Sequence, residues 1–266
     1  MELTFNLPED NEDFPWNRKE VEAFKEFLIN KRLRCRTDDI FILGILRARK
    51  FNRERAYKLI SNYYSSRRKY PAIFNNLNPS SLEKVLRLNI MQFLPKPDQH
   101  GRLIGVARGR HWNTDVANIV DVFRCAILFL DLYINYHRLQ TNGLVVVVNA
   151  ADISWKHIVQ FTPNFIHVLI TTLYDSYQMK YKEIHFINVN KYFKGVITLL
   201  LPLLPEKLRK RIHLYGSDID SLHTYIDPKY LPKEFGGELP NFDPTESNQI
   251  LRNNEEYFRD CETYWT

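Results

Sequence analysis

Cysteine is scarce in this 266-residue chain. Cys35, Cys125 and Cys261 stand far apart, with no C-x-x-C and no zinc-ligand spacing. Three scattered cysteines predict reduced thiols in an intracellular protein, with Cys125, inside an apolar run, buried. Long hydrophobic runs are missing too. The longest predominantly apolar stretch, Val196 to Leu204, has nine residues and contains Pro202, whereas a spanning helix needs ~20. Any membrane role is therefore expected to be peripheral. Met1 to Asp13 is acidic and lacks the apolar centre of a signal peptide. Nucleotide motifs are absent: there is no G-x-x-x-x-G-K-[ST] and no G-x-G-x-x-G after a strand. No G-x-S-x-G elbow supplies a hydrolytic serine. His157, His167, His185 and His213 form no metal-binding pattern, and His185 and His213, inside strand-like runs, read as structural. Asp152 follows a strand where α/β enzymes often place an acid; alone, it reads as a helix cap. No catalytic residue, metal ligand or cofactor is expected, and the chain reads as non-enzymatic.

What is present is an ordinary globular composition, 44% hydrophobic and 26% charged, with a net charge of +6. That excess favours an anionic partner. The first third is helical in pattern: Pro15 to about Lys31, with Val21, Phe24, Phe27 and Leu28 on one stripe; a helix capped by Thr37 or Asp38; and a third from about Arg53 to Lys69, stopped by Pro71. The turn-forming Asn75 to Pro79 is the best boundary. Beyond it, short β-rich runs alternate with helical ones. Strands are expected at Leu103 to Arg108, Leu144 to Val148, Glu183 to Asn188 and Arg211 to Tyr215. Helices are expected over Asp115 to Leu139, from Thr162 or Pro163 to about Ser176, and over Tyr192 to Leu204. Four consecutive valines suit a strand buried on both faces, as in a parallel sheet. The rhythm argues for βαβ units and an α/β sheet. Asp243 onward reads as a tail with one polar helix.

One segment stands out. From Tyr192 to Leu204 the chain is apolar nearly all round, interrupted by Lys194 and Thr198. Cations surround it: Lys180, Lys182, Lys191, Lys207, Arg209, Lys210 and Arg211, against Glu183 and Glu206. A core helix buried on both sides is one reading. An interfacial segment, with leucines in the acyl region and cations on anionic headgroups, is the other. Nucleic acid is the weaker partner, because an aliphatic run offers no stacking platform. The helix around Phe123 to Leu132 and the strand Leu144 to Val148 carry enough apolar surface for either a lipid pocket or a filled core, and the residues alone leave both open.

Motifs in order along the chain resemble the CRAL-TRIO lipid-binding family: Leu46 to Phe51 (LRARKF), Gln160 to Pro163 (QFTP), Glu183 to Asn188 (EIHFIN), Glu206 to Gly216 (EKLRKRIHLYG), Ser221 to His223 and Leu231 to Gly237 (LPKEFGG). Within it, His111-Trp112 and Asp121 to Arg124 look most like the tocopherol transfer proteins. The resemblance implies a helical module over 1–78, an α/β lipid-binding domain over 79–242 and a helical tail over 243–266. It implies a lipid cavity gated by a mobile helix falling on 188–204, with Phe193, Val196, Ile197, Leu200, Leu201 and Leu204 as gate residues. By the same resemblance, Phe123, Ala126, Ile127, Leu130, Leu144, Val148, Phe161, Leu169 and Ile184 line the pocket, and Lys180, Lys182, Lys207 and Arg211 hold a phosphatidylinositol phosphate headgroup. Ala126 and Leu130 replace two family serines, and Val148 replaces a bulky aromatic. The expected ligand is tocopherol-, retinoid- or other isoprenoid-like. The expected setting is cytoplasmic, with transient association with acidic intracellular membranes. A lipid-sensing interaction module without transfer activity is the alternative.

Overall fold

The structure, a computed structural model, describes residues 14–266. The reading that Met1 to Asp13 is no signal peptide falls outside the described residues.

Three helices open the described chain: α1 (Arg18–Asn30), α2 (Asp39–Ala48) and α3 (Arg53–Lys69). Each starts at a side chain that caps a free backbone N–H: Asn17, Asp38 and Asn52. Val21, Phe24 and Leu28 of α1 are buried, as are Ala56, Leu59, Ile60, Tyr63 and Tyr64 of α3. Pro71 does end α3, but it also begins a one-turn helix, Pro71–Phe74, because its fixed φ and missing N–H suit a first helical position.

A five-stranded sheet follows, in the order β1 (Met91–Phe93), β2 (Leu103–Arg108), β3 (Leu144–Asn149), β4 (Tyr181–Ile187), β5 (Ile212–Leu214). β1 runs antiparallel to β2, and β2 to β5 are parallel. The short edge strand β1, which begins two residues after Asn89 in a left-handed conformation, was not anticipated. The four valines of β3 are covered on both faces. Val145 and Val147 pack with Ile104, Val106, Ile187, Leu222, Ile226, Leu231 and Phe235 on one side, and Val146 and Val148 look to the other. A bulge opposite Leu144/Val145 gives β4 one extra residue, Lys182, so Tyr181 pairs with Leu144 while Glu183 pairs with Val145. Gly143, at φ 89, leads into β3 where a Cβ would stand 2.5 Å from the Lys180 carbonyl oxygen.

The connecting helices are α4 (Ile119–Tyr133), α5 (Pro163–Leu169) and α6 (Lys191–Leu200). α4 is shorter than the expected 115–139. Asn118 and Asp121 form a capping box at its start, and Asn135 Nδ2 donates to the Asp131 and Leu132 carbonyls (3.1 and 2.9 Å) at its end. A separate short helix, His137–Asn142, comes before β3. Thr162 caps α5 with Pro163 at its first position. Asp152 caps nothing: it sits exposed at φ 65 and pairs loosely with Arg110 (3.7 Å), while Ser154 stands at the start of the next helical turn.

The C-terminal stretch is two helices rather than one polar one, α7 (Pro244–Asn253) and α8 (Glu255–Glu262), broken at Asn254. Leu251, Tyr257, Phe258, Cys261 and Trp265 are buried in the same core as the first helices. Arg36 fixes them there. Its guanidinium donates to Tyr257 Oη (2.7 Å) and Asn135 Oδ1 (3.0 Å) and pairs with Asp38 (2.9 Å). A second buried ion pair, Arg67 with Asp131 at 2.6 Å, is closed by the hydroxyls of Tyr63 and Tyr177. Such a pair offsets its desolvation only when its remaining donors and acceptors are met.

Candidate functional site: an apolar cavity behind a leucine-rich helix

Between the sheet and helices α4, α5 and α6 lies a cavity of about 370 Å³. Small residues leave the space. Gly105 and Ala107 of β2 and Ala126 of α4 occupy lining positions where larger side chains would fill it. Its walls are otherwise mostly leucine, isoleucine, valine and phenylalanine. A chain of ring contacts crosses them: Phe123 to Phe165 (5.6 Å), Phe165 to Phe161 (6.3 Å), Phe161 to Phe193 (6.0 Å) and Phe193 to Phe186 (6.0 Å).

The expected pocket residues gather there with one exception. Phe123, Ala126, Leu130, Leu144, Val148, Phe161, Leu169 and Ile184 line the cavity. Ile127 does not. It is fully buried one position past Ala126, in the packed interior. Of the gate set, Phe193, Ile197, Leu200, Leu201 and Leu204 line the cavity, and Val196 is half-buried beside it.

Helix α6 is two-faced. Asn190 caps its start, accepting from the Tyr192 and Phe193 amides. Phe193 turns inward at 3% exposure, while Tyr192 and Leu199 stand outward at 65% and 77%. Leu201–Leu203 tightens into a 3-10 turn around Pro202, with Leu203 exposed. The two readings of this segment resolve into a helix with one apolar face on the cavity and a second apolar strip in solvent. Beside it, Trp155 (66% exposed) and Val159 extend the outer strip. Neither was picked out from the sequence, since a lone tryptophan in a polar turn carries no periodic signal.

The four cations stand at the strand starts. Lys180 and Lys182 bracket Tyr181 at the head of β4. Arg211 precedes β5, and its Nη1 donates to the Tyr181 carbonyl. Lys207 is exposed on the short helix Glu206–Arg209, one turn before Arg211. Burial lowers the Lys180 pKa, and the charges of Lys182, Arg47 and Lys50 lower it further. Among the described residues, no carboxylate forms an ion pair with any of the four, whereas nearby Lys210 is held by Glu206 at 2.6 Å. On the opposite sheet face, His213 pairs with Glu183 (2.8 Å), and His185 stacks on His213 (5.0 Å) and meets Tyr215 Oη (3.1 Å). These histidines belong to packing and do not reach the cavity.

Among the described residues, no helix is long and apolar enough to cross a membrane, and no group of three or more His, Cys, Asp or Glu could hold a metal. A parallel-rich sheet with an apolar cavity under a two-faced helix defines a lipid-binding α/β protein. The CRAL/TRIO domain model matches residues 64–237, more than half of the chain, and the chain belongs to that family of lipid-binding and lipid-transfer proteins. The "Alpha-tocopherol transfer protein-like" protein of Homo sapiens is 34% identical over 245 residues, covering 91% of this chain and 72% of that one. Clavesin-2 of Mus musculus is 36% identical over 210 residues, covering 78% of this chain and 64% of its own length. Clavesin-1 of Xenopus laevis is 35% identical over 210 residues, covering 78% and 63%.

Proposed function

We propose that this protein is a non-enzymatic carrier. It holds a tocopherol-, retinoid- or other isoprenoid-like lipid in the cavity and exchanges it at membranes that contain phosphatidylinositol phosphates. One observation carries the reading: an apolar cavity is walled on one side by a helix whose outer face also carries an apolar strip, Tyr192 and Leu199, beside Lys191, Lys194 and Thr198. Water gains nothing from that strip. A membrane interface does, because Leu199, Leu203, Tyr192 and Trp155 have acyl chains and headgroups to enter.

In this reading Lys180, Lys182, Lys207 and Arg211 grip an anionic headgroup, α6 partitions into the interface, and the cavity opens. The working energy is the membrane's differential affinity for the open state, so no covalent step is needed. The setting is cytoplasmic, with peripheral and transient membrane contact. A helical module over 1–78, a lipid-binding domain over 79–242 and a tail over 243–266 remain the proposed division of the chain.

The test combines charge reversal with lipid transfer. Each cation near an anionic surface contributes about 1 kcal/mol. Lys207→Glu with Arg211→Glu is therefore expected to weaken binding to phosphatidylinositol bisphosphate vesicles about thirtyfold or more. It is expected to slow transfer of a fluorescent tocopherol between vesicles in step. Lys207→Glu alone, at an exposed side chain, separates this from a folding defect. Transfer at the unaltered rate in both variants sinks the exchange mechanism.

A further inference from the structure

Among the described residues that line the cavity, four side chains carry nitrogen or oxygen: Gln92, Arg108, Trp112 and Tyr181. Protein holds or covers the polar atoms of each. Gln92 accepts from Arg108 (2.8 Å) and donates to the Asp243 carbonyl (3.2 Å). Trp112 Nε1 donates to the Ala117 carbonyl (2.8 Å). Arg108 directs its guanidinium to Glu234 (2.6 and 2.8 Å) and to the Phe235 ring (5.4 Å), which belongs to the core of the opposite sheet face. The Tyr181 hydroxyl is sealed by surrounding protein atoms, so this residue presents ring carbon to the cavity. Lys180, Lys182, Lys207 and Arg211 are not among the lining residues. Nearly all of the wall that an occupant meets is therefore carbon.

A polar atom that enters such a space gives up water and finds no partner in exchange. A methylene gives up nothing. We infer that the part of the ligand held in this cavity is bare hydrocarbon, carrying no hydroxyl, carbonyl, ester or amine. The site takes isoprenoid or alkyl hydrocarbons outright. It takes an oxygenated lipid with the oxygen left outside the wall, where water and the cations at the strand starts remain. A lipid whose oxygen sits in mid-chain is disfavoured. This inference rests on the cavity being a lipid site, as proposed above.

The experiment uses the full chain and two probes matched in shape: an octadecane with a mid-chain methyl branch, and the octadecanone with its carbonyl at the same carbon. Equal amounts are offered in phosphatidylcholine vesicles, and mass spectrometry reads the lipid that the protein retains. The wild type is expected to retain the hydrocarbon about tenfold or more over the ketone, because the carbonyl is buried unpaired. Ala126→Ser and Leu130→Ser each place a hydroxyl at a lining position and are expected to cut that preference severalfold. Either variant suffices if the other fails to fold. Equal retention of the two probes or a ketone preference in the wild type overturns the inference, and so does a hydrocarbon preference that neither serine reduces. In each of those cases the lipid site still stands. If the wild type retains neither probe and no fluorescent tocopherol, the lipid site falls, and this inference with it.

Discussion

The two faces of one sheet follow opposite rules. On the face of Val145 and Val147, side chains from Ile104 to Phe235 close into a packed core beside stacked His185, His213 and Tyr215. On the face of Val146 and Val148, similar side chains surround about 370 Å³ of space. Four adjacent valines serve both. The difference lies in what covers them: short turns with large side chains from Leu222 to Phe235 on one side, and helices α4, α5 and α6, with the small Ala126 on α4, on the other. Hydrophobicity builds both faces, and local side-chain volume decides which of them stays open.

The largest effect separates the faces by truncation. Phe235→Ala leaves a void in a filled region and is expected to cost about 3–5 kcal/mol. Leu130→Ala, which abuts existing space, is expected to cost about 2 kcal/mol, the low end for such changes. Urea unfolding of both variants checks the contrast, and equal costs would dissolve it. Next comes acidity. Burial, then the neighbouring His213 and Arg102, lowers the His185 pKa to about 3 from 6.5. The folded state therefore resists a proton that the unfolded chain accepts. Stability is complete above pH 6.5 and is lost as pH falls through the window from 6.5 towards 3. Between pH 7 and pH 5 about 2 kcal/mol should go. Melting curves over that range should slope for the wild type and flatten for His185→Phe; parallel slopes would reject the assignment. The smallest stability effect is on the open face. Val146→Phe fills space and is expected to shift stability by about 1 kcal/mol or less, while mass spectrometry of organic extracts shows the bound lipid reduced or lost. Val147→Phe, one residue on, is expected to destabilise by about 1–3 kcal/mol through overpacking.

The valine run, the α1 and α3 stripes and the caps at Asp38 and Thr162 were legible because each is a local pattern. So were β2 and β3, whose expected limits fall within one residue of those observed. The cavity was not legible. Phe123 lines it and Ile127 does not, yet both are apolar residues on one helix, and only the covering elements tell them apart. Tyr181 faces inward because of a bulge that no residue type announces. The C-terminal helices were misjudged for a related reason. Their mean polarity hid Leu251, Tyr257, Cys261 and Trp265, whose burial depends on Arg36 far away in the chain. The expected positions of the gate and of the headgroup cations came from family motifs, where spacing alone left them ambiguous.

The bond from Arg36 to Tyr257 spans 221 residues, and it sets an order on synthesis. A growing chain that has made α1 to α3 holds a guanidinium whose partners, Asn135 and Tyr257, do not yet exist. With translation at roughly 5–20 residues per second, that wait lasts roughly ten seconds or more. During it the helical layer is exposed on the side that α8 later covers. The helical layer therefore cannot close on its own. It stays half-built until α8 arrives, which makes that interval, not the first folding step, the time when its uncovered side is open to chaperones and proteases.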